Sequence, residues 1–173
     1  MTKLTDPITA QAASHALVIG LFHTAIKTAD LPASLTFYKS VLGLKEMHRP
    51  AFGFPGAWLA CPSPGGAAII HLYSGGPALG ASGTVPVGSA AVDHISLACS
   101  GFHSFRDRFK NHGRAWREQV VPGTSLWQLF VYDPSGEQFE LTFEGAFESG
   151  SPPDMSPGKG YIAGTYFFKV PAP

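Results

Sequence analysis

Three histidines and one glutamate occupy repeated positions in this 173-residue sequence. His23 and His94 each open a strand-like run, one in each half of the chain. The interval from His23 to His71 matches the interval from His94 to Glu140 to within two positions. Imidazole nitrogens and carboxylate oxygens are suitable ligands for Zn, Ni, Fe, Mn or Co. The spacing predicts one divalent-metal site to which two related halves of the chain each contribute two side chains.

The simplest alternative for each of these residues is an ordinary packing role. A single histidine near a strand end is more often a hydrogen-bonded structural residue than a metal ligand. Glu140 is harder to explain in that way, because it lies between Phe139 and Leu141 and an unpaired carboxylate is costly to bury. Equivalent placement of all four residues in two repeats therefore favours the metal site.

To bring the four residues together, each half of the chain must contain strands that position its two residues. Both halves follow the pattern strand, helix, strand, strand, strand, and corresponding turns at 62–65 and 133–136 precede the last strand. We predict an N-terminal arm (1–16), a first βαβββ module (17–74), a Gly/Pro-rich linker (75–90), a second βαβββ module (91–145) and a C-terminal extension (146–173). The predicted fold class is α+β, with the two tandem modules forming an open, barrel-like curved sheet.

Local signals define the helices and the end of the chain. Asp30 is placed to cap the first helix and Gly43 to end it, while Phe102, Phe105 and Phe109 form the inward stripe of the second. The Gly, Ser and Pro content of residues 145–160 is typical of a mobile segment. The run Tyr161–Val170 is too apolar for a free tail, so we expect it to pack on the body of the protein or on a partner subunit.

Composition excludes several classes of function. Twelve basic residues balance twelve acidic ones and do not cluster with aromatics, which argues against nucleic acid as a partner. No run approaches the roughly 20 apolar residues of a membrane span, so no membrane role is expected. Cys61 and Cys99 are too few for a disulfide framework. The N-terminal stretch contains Asp and Pro where a signal peptide would be apolar, so we expect a cytoplasmic protein.

Four segments carry a family resemblance over roughly residues 18–145. They are FHTAIKTADLPASLTFYKSVLGL, IIHLY, VDHISLACSG and QLFVYDPSGEQFEL. Together they resemble the vicinal oxygen chelate superfamily, which includes glyoxalase I, fosfomycin-resistance proteins, methylmalonyl-CoA epimerase and extradiol dioxygenases. The resemblance implies paired βαβββ modules that bind one divalent metal, and a homodimer. It places His23, His94 and Glu140 at ligand positions. His71 departs from the Glu or Gln that glyoxalase I-like members carry there.

The resemblance leaves three functions open. If all four side chains bind the metal, a six-coordinate ion keeps two positions for vicinal substrate oxygens, which favours lyase or isomerase chemistry through an enediolate. Glu140, or a loosely bound His71, would then be the catalytic base. If His71 does not bind, the remaining two histidines and one carboxylate suit Fe(II) and extradiol ring cleavage. The third possibility is a non-catalytic protein that binds a small molecule such as an antibiotic.

A small-molecule substrate also needs a lined pocket. Aromatic side chains with one arginine for an anionic group are the candidates, although core packing would also explain most of the aromatics. The predicted substrate-binding residues are Phe52, Phe54, Trp58, Tyr73, Trp127, Phe130 and Arg49.

Overall fold

The computed structural model of this protein describes residues 22–63, 66–79, 93–162, 165 and 167. The first module contains β1 (Thr24–Lys27), α1 (Leu31–Thr36), a π-helical turn (Phe37–Val41), β2 (Lys45–Met47), β3 (Gly56–Ala60) and β4 (Ala68–Tyr73). A single helical turn, α2 (Gly76–Leu79), lies at the start of the predicted linker. The second module contains β5 (Ile95–Cys99), α3 (Phe102–Asn111), β6 (Trp116–Val120), β7 (Leu126–Tyr132), β8 (Gln138–Glu144) and a 3-10 turn (Gly145–Phe147).

Each module forms a four-stranded mixed sheet with the same topology. The strand orders are β1-β4-β3-β2 and β5-β8-β7-β6. In both sheets the first and last strands pair in parallel, and the remaining neighbours are antiparallel. The predicted α+β class and the two tandem βαβββ modules are therefore confirmed, with the sheets remaining separate within one chain instead of closing into a barrel.

Some sequence predictions lie outside the described residues. These are the N-terminal arm 1–16, the first part of the strand predicted from residue 17, and linker residues 80–90. Within the described part of the chain, no helix is long and apolar enough to cross a membrane.

The two longer helices begin in different ways. At α1 the Asp30 side chain accepts a hydrogen bond of 2.9 Å from the amide of Ala33, as the capping signal predicts. At α3 the cap position is Gly101, which has no side chain and a φ of 87°. Glu148 replaces it, because its carboxylate accepts hydrogen bonds from the amides of Gly101 (2.9 and 3.1 Å) and Phe102 (2.7 Å). The C-terminal extension thus completes the start of α3.

One hydrophobic core joins the two modules. Phe37 and Tyr38, from the first module, lie with ring centroids 6.2 and 5.6 Å from that of Phe139 in β8. The Tyr38 hydroxyl donates a 2.9 Å hydrogen bond to Asp133, in the turn between β7 and β8. Burial, followed by the negative charge of Asp133, raises the pKa of Tyr38, so it remains a neutral donor. Each sheet therefore buries one face in the shared core and leaves its other face for other contacts.

The C-terminal extension is ordered by specific contacts, so the prediction that residues 145–160 are mobile is wrong. The amide of Asp154 donates a 2.7 Å hydrogen bond to the buried Glu118 carboxylate, and the amide of Tyr161 donates one of 2.8 Å to the Glu118 carbonyl. Tyr161 stacks on Phe130 with a centroid separation of 3.6 Å, and Phe167 lies against Tyr132 at 4.7 Å. Tyr161 and Phe167 therefore pack on the second module, and the other residues of the predicted packing segment, apart from 162 and 165, lie outside the described residues.

Candidate functional site

The first half-site consists of His23, His71 and Trp58. His71 projects from β4 and is buried, whereas His23 directly precedes β1 and is partly exposed. The His71 ring stacks between the other two, with centroids 3.8 Å from His23 and 4.3 Å from Trp58. This stack orients both imidazole planes. It occupies ring faces only, so the nitrogen atoms can still bind a ligand in the plane of each ring.

The nitrogens of the first half-site fit a metal ligand role. His23 Nδ1 is buried and has no hydrogen-bond partner among the described residues, which is a costly state for a polar atom unless a further group completes it. Burial lowers the pKa of His71, and the neighbouring His23 and Arg49 lower it further. A neutral imidazole offers the lone pair that a divalent cation needs.

The second half-site consists of His94 and Glu140 with their hydrogen-bond partners. His94 Nδ1 lies 2.7 Å from the Asp93 carboxylate, and Nε2 lies 3.5 Å from Glu140 Oε2. Glu140 Oε1 accepts hydrogen bonds from the hydroxyls of Ser96 (2.6 Å) and Thr142 (2.7 Å). The hydroxyls thus hold one carboxylate oxygen, while the other lies beside His94 Nε2. This is the usual arrangement for oriented metal ligands.

Strand pairing makes the two half-sites equivalent residue by residue. His71 pairs with Ala25 on β1 and with Trp58 on β3. Glu140 pairs in the same way with Ser96 on β5 and with Phe130 on β7. His23 lies two residues before Ala25, and His94 lies two residues before Ser96. The repeat in the sequence is therefore also a repeat in the sheet register.

The two half-sites do not meet within one chain. Across the described ranges 22–63, 66–79 and 93–162, no three His, Cys, Asp or Glu side chains lie close enough to hold a metal ion. Ile70 and Leu72 flank His71 in the shared core, and Phe139 and Leu141 flank Glu140 there. Because neighbouring strand residues point to opposite faces, both half-sites lie on the faces turned away from that core.

Most of the predicted substrate-binding residues surround the first half-site. Phe52 lies with its centroid 6.0 Å from that of Trp58, and Phe54 lies 5.2 Å from Tyr73. The Arg49 guanidinium lies over the rings of both phenylalanines, at 4.7 and 4.8 Å. These residues form a continuous aromatic surface beside His71.

The two remaining aromatic candidates lie on β7, on opposite faces of its sheet. Phe130 is on the face of the second half-site, with its centroid 6.1 Å from that of His94. Trp127 packs against Phe102 and Phe143 on the core face. Strand alternation places Trp127 with Leu129 and Val131 on the core face, so the structure does not bring this predicted pocket residue to either half-site.

Sequence reasoning missed the polar residues that orient Glu140. Ser96 and Thr142 each lie two residues from a predicted ligand on the same strand face, so the period of two could have identified them. Asp93, next to His94, carries no comparable signal. Its role depends on a side-chain orientation that the sequence does not encode locally.

A cavity of about 550 Å³ lies between the modules. Its lining is mostly apolar and includes Leu44, Ile70, Leu97 and Cys99, with none of the four predicted ligands. Burial raises the pKa of Cys99 to about 12, so its thiol is protonated and unreactive near neutral pH.

Comparison with known proteins identifies relatives over most of the two modules. The family model described as the Glyoxalase/Bleomycin resistance protein/Dioxygenase superfamily matches residues 20–141. A lactoylglutathione lyase from Salmonella typhimurium is 31% identical over 127 residues, which cover 70% of this chain and 90% of that protein. A protein named glyoxylase I 4 from Arabidopsis thaliana is 27% identical over 124 residues, covering 70% and 68% of the two chains.

Solved structures share the fold at lower sequence identity. A glyoxalase family protein from Bacillus anthracis aligns with a TM-score of 0.57 at 16% identity, over 75% of this chain and 98% of its own. A fosfomycin resistance protein from Listeria monocytogenes aligns with a TM-score of 0.55 at 15% identity, over 73% and 94%. At such identities these neighbours support the architecture alone.

Proposed function

The chain belongs to the Glyoxalase/Bleomycin resistance protein/Dioxygenase superfamily, and from that premise we propose that it is a divalent-metal-dependent lyase or isomerase of the glyoxalase type. Its substrate would be a small molecule that chelates the metal through two vicinal oxygens. The observation that carries this proposal is the equivalence of His23 and His71 with His94 and Glu140 in the two sheet registers. Relatives named lactoylglutathione lyase at about 30% identity favour this chemistry over ring cleavage.

We propose that two chains complete each site. Within the described part of one chain the half-sites are separate, and each offers only two ligands. In a two-fold symmetric dimer, the first half-site of one chain can face the second half-site of its partner, which forms two identical sites. Each site would then hold one cation among three imidazoles and one carboxylate.

The bound cation would act as a Lewis acid and stabilise negative charge on the substrate oxygens. Glu140 is the proposed base, because its Oε2 has no hydroxyl donor while Ser96 and Thr142 hold Oε1. It would take a proton from the carbon next to the substrate carbonyl and return it to the adjacent carbon. Asp93 would hold His94 Nδ1–H, so that the Nε2 lone pair faces the cation.

Metal analysis and turnover of the purified protein test this function. We expect about one divalent ion per chain and conversion of the methylglyoxal–glutathione hemithioacetal after loading with Ni, Zn or Co. The matched control is Trp127→Phe, which changes an aromatic residue on the core face and leaves both half-sites intact. Tightly held iron with oxygen-dependent cleavage of catechols would overturn the lyase assignment in favour of a dioxygenase.

A further inference from the structure

Arg49 presents an unpaired hydrogen-bonding edge beside the first half-site. Its Nη1 donates a 3.1 Å hydrogen bond to the carbonyl of Phe54. Its Nε and Nη2 atoms are buried and have no hydrogen-bond partner in the described part of the chain. Among the residues that the structure describes, no carboxylate lies within ion-pair distance of this guanidinium.

The two free donors have the geometry that recognises a carboxylate. Nε–H and Nη2–H lie on the same edge of the planar guanidinium and point in parallel, so they can bind both oxygens of one carboxylate. Leaving both donors buried and unpaired is costly, which indicates that a group beyond the described residues completes them. Nη1, on the other edge, is the atom already used within the loop.

The surroundings hold this edge in place. The guanidinium lies over the rings of both Phe52 and Phe54, whose centroids are 6.0 Å apart, and these cation–π contacts orient it. A side chain at Gly56 would collide with the Leu72 carbonyl and would also come within 3.2 Å of Nη2, so the guanidinium packs closely against this glycine. Phe52, which is half exposed, covers the guanidinium from solvent and also contacts Trp58.

The charge of the first half-site also favours an anion. At the position where the second module carries Glu140, the first carries His71. This half-site therefore contains a guanidinium and lacks the carboxylate of its counterpart. A negatively charged group attached to the substrate would meet a permanent positive charge here.

We propose that Arg49 is a specificity-determining residue that binds a carboxylate of the substrate, so that the substrate carries a carboxylate in addition to its two vicinal oxygens. This inference rests on the proposed function for the vicinal oxygens, but the arginine edge itself is independent of the metal. Binding requires the Phe52 side chain to move aside and then close over the carboxylate. The Trp58 environment should change with it.

The metal-free protein provides the first test, with succinate as the probe. We expect succinate to change the Trp58 fluorescence saturably in the wild type and in Arg108→Gln, whose guanidinium also lies over a phenylalanine but lines the cavity between the modules. Arg49→Gln should abolish the change. Arg49→Lys, which keeps the charge without the paired donors, should weaken binding by about 10-fold or more. A Trp58→Phe variant identifies the signal.

The metal-loaded protein connects this carboxylate to the catalytic site. Succinate monohydroxamate and butyrohydroxamate chelate a divalent ion alike through vicinal oxygens and differ only in carboxylate against methyl. By calorimetry on the nickel-loaded protein we expect the first to bind about 10- to 100-fold more tightly, and Arg49→Gln to remove this preference while leaving butyrohydroxamate affinity unchanged.

The two tests separate the two proposals. If both hydroxamates bind equally to the wild type and succinate does not bind, the Arg49 inference is overturned while the metal-site function stands. If succinate binding depends on Arg49 but neither hydroxamate binds, the metal-site function fails and the carboxylate site remains. If Arg49→Gln instead lowers the dimer fraction in light scattering without affecting either probe, a carboxylate of the second chain fills the edge, and the substrate role is refuted.

Discussion

The first half-site is built from stacked aromatic rings, whereas the second is built from a carboxylate held by hydroxyl groups. His23 and His94 are the same residue type at equivalent positions of the two half-sites. The residues around the second ligand of each half-site differ in type at every equivalent position. The residues of the first module that correspond to Ser96, Phe130 and Thr142 in the second are Ala25, Trp58 and Tyr73. The comparison teaches that a ligand and its supporting residues differ together. A stacked imidazole needs flat neighbours, whereas a buried carboxylate needs donors.

The largest effect is expected from substitution of Glu140, which tests whether its carboxylate gives the second half-site a different function from the first. Glu140→Ala removes the proposed base and should lower kcat/KM by about 10³-fold, since proton transfer by a positioned group contributes on this scale. His71→Ala removes one neutral ligand and should chiefly weaken metal retention. Steady-state kinetics and metal content measure both. Glu144→Ala, a carboxylate on the same face of β8, is the matched control. An equal loss in this control would refute the special role of Glu140.

A heterodimer tests whether the unequal halves come from different chains. His71→Ala and Glu140→Ala chains with different tags can be purified as a mixed dimer, in which one site is intact and the other has lost both residues. We expect about half the activity of the wild-type dimer, compared with almost none for either parent. Absence of recovery in a dimer of verified composition would show that each site is made within one chain.

A smaller effect tests the hydroxyl support that is present in only one half. Ser96→Ala removes the 2.6 Å hydrogen bond to Glu140 Oε1 and should lower kcat by about 10-fold with little change in KM. Ala25→Ser, the reciprocal change at the equivalent position, should leave both constants near wild type. If Ser96→Ala changes thermal stability alone, the serine has only a structural role.

The smallest expected effect concerns how the folding stability contributed by His71, in the first half-site, depends on pH. The pKa of His71 is lowered from its ordinary value of 6.5, chiefly by burial, so below that pH the unfolded chain binds more protons at this residue than the folded chain. Its contribution to stability is therefore present above pH 6.5 and is lost as the pH falls. Urea unfolding of the metal-free wild type should show a steeper loss on acidification than that of His71→Gln. Parallel curves would contradict this prediction.

Local signals in the sequence predicted each module well. Both modules have the expected order of strand, helix and three further strands, and Asp30 and Gly43 mark the ends of the first helical segment. These features depend on alternation, capping and turn residues within a few positions of one another. The α+β class and the repeated topology followed from them.

Contacts between distant residues were not predictable in the same way. The repeat specifies two similar sheets, but it does not specify how the sheets dock, which depends on side chains such as Tyr38 and Asp133 that are far apart in the chain. The Gly, Ser and Pro content of residues 145–160 indicates mobility. The contacts that hold this segment come from the buried carboxylate and the backbone of Glu118, which is distant in the sequence and does not affect the local composition. The aromatic type of Trp127 predicts a pocket residue, whereas the period of two along β7 places it on the core face.

The capping of α3 by Glu148 has a consequence for how the protein is made. Residues 102–111 are synthesised well before Glu148, so the emerging helix begins at a glycine with unsatisfied amide groups. The cap of this helix is complete only once Glu148 has also been synthesised, so the start of α3 and the segment that carries Glu148 reach their native arrangement together.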